Sequence, residues 1–440
     1  MNLSIQTALH NLRAGPLGER YMRRYQLGQL VSLTGVMLQM AVLGILIRDI
    51  ESNKADAAAS IGRLWMMGFL PGILIAPFAG VLLDRCDMRR VLQFTGLVAT
   101  MQAFTLAFMT YHGHPSIFWI NTLALCAGFV TPIDSTARNA IIKLITKNPE
   151  NVTPANMMFT SLYNLAQLVG PSIACWLIAT FNYTGTFILN GLTFVTLILT
   201  LCWIQYGVEV IPHAKRPERK NILGSLTHGG HYIFTHSGIL VRIVMAGTLS
   251  SLWFGIYAIL YVVTEDLYGG TMDNTKHVYS TLTASSGIGA FIGALLAIWG
   301  MRRVPIKKFT VFGTVAMGIG LILFANVKDP RYGMVIMFLS GLGFMSAFTT
   351  FRGSIQALVD HNVIGVASGF IMSSFYLSIT IGTFTIGSCM HKFGAYGVVS
   401  TIGAICIVAG LLIPRLPGLG AAKPVGVPSV SIVPSASPVR

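Results

Sequence analysis

The chain has 440 residues, of which 53% are hydrophobic and only 10% are charged, and its formal net charge is +15. Soluble domains carry roughly 25% charged residues, and a soluble fold with so few charges would expose apolar patches that aggregate. The composition therefore excludes an ordinary soluble protein and indicates a membrane protein. The sequence lacks the short alternating segments of a membrane β-barrel, so the predicted fold class is all-α.

Several other classes of protein are also disfavoured. The basic residues bracket apolar runs and do not form a face with interleaved aromatic residues, so we expect no nucleic-acid partner. The six Cys are scattered and form no Cys-x-x-Cys pair, which predicts neither disulfides nor a zinc site. His228 and His231 have no Cys or acidic residue nearby and are a weak metal signal. The sequence contains no phosphate-binding loop and no hydrolase motif, so we expect no metal, no cofactor and no enzyme activity.

A helix needs about 20 apolar residues to cross a bilayer. Residues 1–25 precede the first such run, contain no apolar core of a cleaved signal peptide and are predicted to be a cytoplasmic segment. Twelve runs satisfy the length requirement, and we predict transmembrane helices over residues 26–47, 61–83, 91–111, 116–137, 157–181, 185–206, 239–264, 278–300, 308–326, 333–352, 364–389 and 394–413.

The longest gap between runs divides the chain into six helices and six helices. We predict an N-terminal half over residues 26–206, a cytoplasmic linker over 207–238, a C-terminal half over 239–413, and a disordered cytoplasmic tail over 414–440. Most of the 30 Lys and Arg lie in the loops on the side of both termini. The positive-inside rule therefore places both termini in the cytoplasm, and the basic inner surface is expected to attract anionic lipids.

The two halves resemble each other weakly. The fourth run ends with Gly128-Phe129 followed by Arg138, and the tenth ends with Gly343-Phe344 followed by Arg352. Six-helix halves that repeat in parallel, with a binding site between them, are typical of transporters.

The connection between the second and third runs is unusually rich in charge. It places five charged residues within seven positions between two apolar runs: Asp84, Arg85, Asp87, Arg89 and Arg90. A loop that only sets topology needs basic residues but no paired carboxylates. The alternative is a latch that holds two helices in register and opens during a conformational change.

This loop resembles the loop 2–3 signature of the major facilitator superfamily, here in the form Gly80-x-Leu82-x-Asp84-Arg85-x-x-x-Arg89-Arg90. The usual form has Gly where this chain has Asp87. The end of the fourth run is similar to the branch that includes the enterobactin exporter and macrolide-efflux proteins. That branch has Phe-Asp-x-Pro-x-Arg-Gln where this chain has Asp134 and Arg138 within Ile-Asp-Ser-Thr-Ala-Arg-Asn. The resemblance covers the twelve runs and implies the twelve-helix major facilitator fold in two six-helix pseudo-repeats.

The resemblance implies roles for several residues. Asp84 is expected near the start of the eleventh helix, paired with basic neighbours that include Arg138. Asp134 and Arg138 are spaced i, i+4 and can pair directly on one helix. Either they belong to the same latch or Arg138 is an interfacial Arg with a neutralising partner. Gly170-Pro171 resembles half of the antiporter signature that marks exporters, and would allow close helix approach and a bend.

Polar and aromatic side chains within the apolar runs are candidates for a substrate cavity. In the superfamily, helices 1, 4, 5, 7, 10 and 11 surround the central cavity. Each candidate has helix–helix hydrogen bonding as its alternative role. Arg352, the counterpart of Arg138 in the second half, is the candidate for an anionic group. The candidates are Gln39, Asn164, Gln167, Trp253, Tyr257, Tyr261, Arg352, Tyr376 and Thr380.

None of the 15 acidic residues lies in the middle of an apolar run, where proton-coupled carriers usually keep an ionisable side chain. The remaining candidates for proton coupling lie near the ends of runs: Asp49, Asp134 and Glu265.

The resemblance predicts a transporter that works in a bacterial cytoplasmic membrane by alternating access. The favoured activity is proton-linked export of a siderophore or amphiphilic organic solute by a monomer. The alternatives are import of a ferric siderophore or other small solute, lysophospholipid transport, and a membrane receptor or scaffold that transports nothing.

Overall fold

The computed structural model describes residues 18–83, 86–113, 115–146, 151–204, 230–231, 233, 235–269, 272–300, 304–358 and 364–415. Most of the predicted linker, the predicted tail beyond residue 415, and two residues of the charged loop, Asp84 and Arg85, lie outside these ranges. Throughout the described residues the regular structure is helical.

Ten long helices carry the fold, and each is long and apolar enough to cross a membrane. They are α1 Arg20–Ile50, α2 Lys54–Leu83, α3 Met88–Tyr111, α4 Ile117–Ile145, α5 Val152–Trp203, α6 Ser237–Tyr268, α7 Met272–Gly300, α8 Ile306–Asn326, α9 Pro330–Leu358 and α10 Ile364–Leu412.

Two of these helices each contain a break. α5 has 52 residues and α10 has 49. At 1.5 Å per residue each is far longer than the roughly 30 Å hydrocarbon core of a bilayer. Asn182 interrupts α5 with φ 56°, and Gly394 interrupts α10 with φ 63°. Gly and Asn tolerate this left-handed region better than other residues do. The two breaks divide ten helices into twelve segments, in agreement with the twelve predicted spans.

The helices extend beyond the predicted spans. α1 begins at Arg20 instead of residue 26, and α4 continues to Ile145 instead of ending at residue 137. Hydropathy marks only the residues that lie in lipid, while helical hydrogen bonding continues into polar turns at the membrane surface. Many large apolar side chains face outward along the helices, as Leu74 does with 73% exposure. A lipid environment accommodates such side chains.

Short connections make consecutive helices run in opposite directions, so the bundle has two ends. We call them the α1–α2 end, at residues 51–53, and the α2–α3 end, at residues 84–87. We call α1–α5 the N-terminal half and α6–α10 the C-terminal half.

Close backbone contacts join the two halves. α2 packs against the first segment of α10, and α5 packs against α7. A Cβ atom on Gly62 of α2 would lie 2.5 Å from the carbonyl oxygen of Thr383 in α10. A Cβ atom on Gly387 would lie 2.6 Å from the carbonyl oxygen of Ala58. Small residues let membrane helices approach at this distance, where van der Waals contact replaces the hydrophobic effect as the driving force.

The hydrophobic cores differ between the two ends. One continuous cluster includes residues of both halves at the α1–α2 end, such as Leu46 of α1 and Ile259 of α6, and continues through the C-terminal half as far as Phe351 and Ile413. Toward the α2–α3 end, the described residues form separate clusters. One lies within the N-terminal half around Tyr25 and Ile141, and the other lies within the C-terminal half around Ile243. The two halves thus share a core at one end and have their own cores at the other.

Gly62→Ala tests the close contact between the halves. The added methyl group would meet a backbone oxygen that cannot rotate away, so we expect a loss of about 1–3 kcal/mol in the free energy of unfolding. The measurement is thermal unfolding of the purified protein in detergent. Gly44→Ala is the control, because a Cβ at Gly44 meets nothing within 4 Å. Equal melting temperatures for the two variants would contradict the packing described above.

Candidate functional site

A shallow, narrow pocket lies between the two halves, and its empty space of about 340 Å³ includes open solvent. The N-terminal half contributes Asn164 and Gln167 from α5, which are three residues apart and share a helix face. The C-terminal half contributes the rest of the lining from α6, α7 and α9: Trp253, Tyr257, Ser286, Gly287, Ala290, Phe344 and Met345. A pocket with walls from both halves changes shape whenever the halves move relative to each other.

Aromatic rings form the C-terminal wall of this pocket. Trp253 of α6 stacks on Phe344 of α9, with ring centroids 4.9 Å apart and an interplanar angle of 9°. Phe254 meets Phe344 edge-on at 5.9 Å, and Phe348 stacks on Phe344 at 5.6 Å. Aromatic pairs of this kind have defined geometry, so the wall is a fixed apolar surface. The N-terminal half contributes two amides, those of Asn164 and Gln167, and the C-terminal lining adds the hydroxyl groups of Tyr257 and Ser286.

Four of the predicted cavity residues therefore line the pocket: Asn164, Gln167, Trp253 and Tyr257. Gln39 instead accepts a hydrogen bond at 2.6 Å from the side chain of Asn190 within the N-terminal half. Helix–helix hydrogen bonding was the alternative role considered for this residue, and the structure places Gln39 in that role.

Three further predicted cavity residues are also buried in packing. Tyr261 contacts Tyr279 edge-on near the α1–α2 end and lies away from the pocket. Tyr376 is 6% exposed and stacks on Phe69 of α2, across the contact between the halves. Thr380, one turn further along α10, is also 6% exposed.

Arg352 of α9 has an exposed side chain. It lies within electrostatic range of Tyr163 in the N-terminal half and of Tyr376 in the C-terminal half. Tyr163 is 38% exposed and lies one turn before Gln167 on α5. This places Arg352 between the halves, on the side of the pocket toward the α2–α3 end.

An ion pair joins the halves at the α1–α2 end. Arg48, near the end of α1, donates from Nε to Glu265 Oε2 at 2.6 Å and from Nη2 to Glu265 Oε1 at 2.8 Å. The side chains are only 9% and 18% exposed. A two-point contact between a guanidinium and a carboxylate is stronger and more directional than a single hydrogen bond. Arg48 Nη1 also donates to the carbonyl of Glu51, which fixes the guanidinium against its own helix end.

Additional charged contacts surround this pair, and we call the whole group the inter-half charge cluster. Lys54 Nζ lies 3.6 Å from Asp266, Lys276 Nζ lies 3.9 Å from Asp49, and His391 Nε2 lies 3.8 Å from Asp56. Each of these pairs links one half to the other. The Tyr183 hydroxyl also donates to the Asp49 carboxylate. The members of the cluster are Arg48, Asp49, Lys54, Asp56, Glu265, Asp266, Lys276 and His391.

The sequence identified Asp49 and Glu265 as proton-coupling candidates, but it did not identify their partners. Arg48 and Glu265 are separated by 217 positions, and no local pattern connects them. The one available signal is that the first and seventh predicted helices, which are α1 and α6 of the structure, both end in charged residues on the same predicted side of the membrane.

A second buried ion pair lies within the N-terminal half. Arg138 is 3% exposed, and its Nε donates to Asp134 Oδ2 at 2.5 Å. Thr95 Oγ1 donates to Asp134 Oδ1 at 2.7 Å, and Arg138 Nη2 donates to Ser32 Oγ at 3.2 Å. The Tyr25 hydroxyl donates to the Arg138 carbonyl at 3.0 Å. These bonds connect α1, α3 and α4 into one unit, so the pair stabilises the half internally.

The charged loop is described in part. The Asp87 carboxylate accepts a hydrogen bond from the backbone N–H of Arg89 and so caps the start of α3. Arg90 lies 3.7 Å from Asp87 at the surface, and Arg89 donates to the carbonyl of Cys202 at the end of α5. These contacts all lie within the N-terminal half. Because Asp84 lies outside the described residues, its contact with Arg138 and the latch stay predictions, as does the role of Gly80.

The Gly170-Pro171 pair lies where α5 crosses α1. A Cβ on Gly170 would lie 2.7 Å from the backbone nitrogen of Leu38, so this crossing requires glycine.

In the described part of the chain, no three His, Cys, Asp or Glu side chains are grouped closely enough to hold a metal ion.

Comparison with known proteins identifies the family. Residues 27–383 match the family model of the Major Facilitator Superfamily. The chain belongs to this superfamily. It is therefore a multi-pass membrane transporter of small organic solutes and not an enzyme. The prediction of the family and its fold is confirmed.

Relatives and solved structures agree with this assignment. The chain is 20% identical to macrolide efflux protein A of Streptococcus pyogenes over 73% of this chain and 76% of that protein. It is 23% identical to the staphyloferrin A transporter of Staphylococcus aureus over 80% of this chain and 86% of that protein. The crystal structure of the nucleoside transporter NupG has a TM-score of 0.70 at 15% identity, with 92% of this chain and 100% of that chain covered. These matches confirm the predicted similarity to macrolide-efflux proteins.

Asp134→Asn tests the buried pair. The substitution leaves the Arg138 guanidinium buried without a counter-ion. We expect a loss of about 3 kcal/mol in the free energy of unfolding. This value is at the lower end of the range for buried ion pairs because Asp134 is partly exposed. Thermal unfolding in detergent measures the change. Asp87→Asn removes the same charge at an exposed helix cap and is expected to cost at most about 1 kcal/mol. An Asp134→Asn protein as stable as Asp87→Asn would rule out the structural role.

Proposed function

We propose that the protein is a secondary active transporter of the bacterial cytoplasmic membrane. It exports a siderophore or an amphiphilic organic solute by alternating access, in exchange for protons. The observation that carries the proposal is the pocket between the halves, combined with the charge cluster that joins the halves at the α1–α2 end.

Alternating access needs a state in which one end is closed and the other can open. The α1–α2 end has both the inter-half charge cluster and the shared hydrophobic core. At the α2–α3 end the described cores are separate, so moving the halves apart there exposes less apolar surface. This arrangement fits a state closed at the α1–α2 end, with solute entry from the α2–α3 end.

The orientation follows from charge. The positive-inside rule places the α2–α3 end, and with it both termini, in the cytoplasm. The end that can open then faces the cytoplasm, which is the side from which an exporter takes up its solute. The relatives include macrolide efflux protein A and a putative bacilysin exporter of Bacillus subtilis, which favours the same direction.

The proton-coupling step involves the inter-half charge cluster. Protonation of Glu265 removes the negative partner of Arg48, and protonation of Asp49 removes the partner of Lys276. Either event weakens the contact between the halves at the outer end and favours its opening. Asp134 is less suited to this role, because its partner Arg138 lies in the same half. A static receptor or scaffold would have no need of charged contacts that protons from outside can neutralise.

The proposal also concerns the assembly and its surroundings. The pocket is complete within one chain, so a monomer is sufficient for transport. The basic residues at the cytoplasmic surface attract anionic lipids by about 1 kcal/mol each.

Directional flux tests the proposed function. Inside-out membrane vesicles with and without the protein are energised to create a proton gradient, and uptake of a radiolabelled macrolide and of radiolabelled staphyloferrin A is measured. Export predicts accumulation of at least one solute in vesicles that contain the protein, and loss of accumulation after a protonophore is added. Glu265→Gln is expected to abolish the part of solute accumulation that is sensitive to the protonophore.

Two results would contradict the proposal. Accumulation only in right-side-out vesicles would reverse the direction to import. Equal accumulation with and without the proton gradient would contradict the proposed coupling of transport to protons. Asp56→Asn serves as the matched control, because this carboxylate lies in the same cluster but is largely exposed.

A further inference from the structure

Arg352 lies on the same face of α9 as the aromatic wall of the pocket. Met345 and Phe344 line the pocket, Phe348 continues the aromatic surface, and Arg352 follows one turn later. The steps of three and four residues from 345 to 352 keep the side chains on one face of the helix. At 1.5 Å per residue, Arg352 lies about 10 Å from Met345 along the helix axis.

This arginine has no carboxylate partner within the described part of the chain. The described ion pairs involve other residues, and the Asp134 carboxylate, which lies in electrostatic range of Tyr376, already binds Arg138. The buried side chains of Arg48 and Arg138, by contrast, each pair with a carboxylate, Glu265 and Asp134. A charged side chain within the span of a membrane helix is costly and usually has a functional partner.

We propose that Arg352, together with Tyr163, binds the anionic group of an amphiphilic solute whose apolar part lies against the Trp253–Phe344 wall. The inference rests on the proposed transport function and specifies its substrate class. A guanidinium presents parallel N–H donors that match the two oxygens of a carboxylate. The phenol group of Tyr163, which is 38% exposed, can donate a further hydrogen bond to the same anion.

The geometry restricts the solute further. The anionic group and the aromatic wall are about 10 Å apart along α9, so the ligand needs an apolar body of two rings or a comparable chain next to its acid. Asn164 and Gln167 face this body from the other half and suit polar substituents on it. A small hydrophilic anion such as phosphate would leave the aromatic wall unused.

The test uses a matched pair of probes, biphenyl-4-carboxylate and biphenyl-4-carboxamide, which differ in charge and hardly in shape. Binding is measured by isothermal titration calorimetry on the purified full-length protein in nanodiscs of neutral phosphatidylcholine. We expect the carboxylate to bind about tenfold more tightly than the amide, as a charge-assisted hydrogen bond predicts.

Four variants assign the preference to the site. Arg352→Gln is expected to bind both probes with the affinity of the amide, and its unchanged amide binding shows that the fold is intact. Arg352→Lys is expected to keep part of the preference. Arg331→Gln removes the same charge at the other end of α9, where it is exposed, and should change nothing. Trp253→Ala should weaken both probes equally.

Equal affinity of the wild-type protein for the two probes, or a preference that survives in Arg352→Gln, would overturn the proposal. Loss of carboxylate binding in nanodiscs that contain phosphatidylglycerol would assign the anion site to a lipid headgroup and would also overturn it. Binding is measured without a membrane gradient, so its outcome is independent of the flux experiment. A charge preference without flux would contradict the transport proposal alone, and flux without a preference would contradict the anion site alone.

Discussion

The ion pair between Arg48 and Glu265 is the interaction on which the rest of the arrangement depends. It joins the first helix of one half to the first helix of the other half at the α1–α2 end. Its two side chains are mostly buried, so water weakens the attraction less than it would at a surface. A buried pair also carries a large desolvation cost, and removing one charge by protonation leaves the other without compensation. The contact can therefore be strong in one protonation state and unfavourable in another.

The packing of the bundle is consistent with this contact. Close glycine contacts bring α2 and α10 together, and the shared core lies at the same end as the charge cluster. The Asp134–Arg138 pair has a different role, because its bonds connect helices of one half only and make that half rigid. A rigid half is required if a change at the α1–α2 end is to alter the pocket and the opposite end, toward which Arg352 lies. The aromatic wall is similarly fixed, so movement of the halves alters mainly the distance between this wall and the amides of α5.

Much of the fold could be predicted from the sequence, because a helix that crosses a membrane must satisfy its own backbone hydrogen bonds and present apolar side chains. This constraint is local, so it leaves long apolar runs in the sequence. The short interruption between two such runs near Asn182 is visible in the same way. The i, i+4 spacing of Asp134 and Arg138 is likewise local. The Arg48–Glu265 contact and the hydrogen bond between Gln39 and Asn190 depend on which helices are neighbours in space. Sequence spacing carries no information about those neighbours, so it predicts neither contact.

The central claim is that the inter-half charge cluster keeps the α1–α2 end closed, and a distance measurement tests it most directly. Spin labels are attached at Asn53→Cys and Lys392→Cys, on opposite halves at that end, after the six native Cys are replaced by Ser. Electron–electron double resonance should give mainly a short distance in the parent protein and a shift toward a longer distance in Glu265→Gln. Asp56→Asn should shift it little, because exposed ion pairs contribute about 0–1 kcal/mol. An unchanged distance in Glu265→Gln would contradict the account.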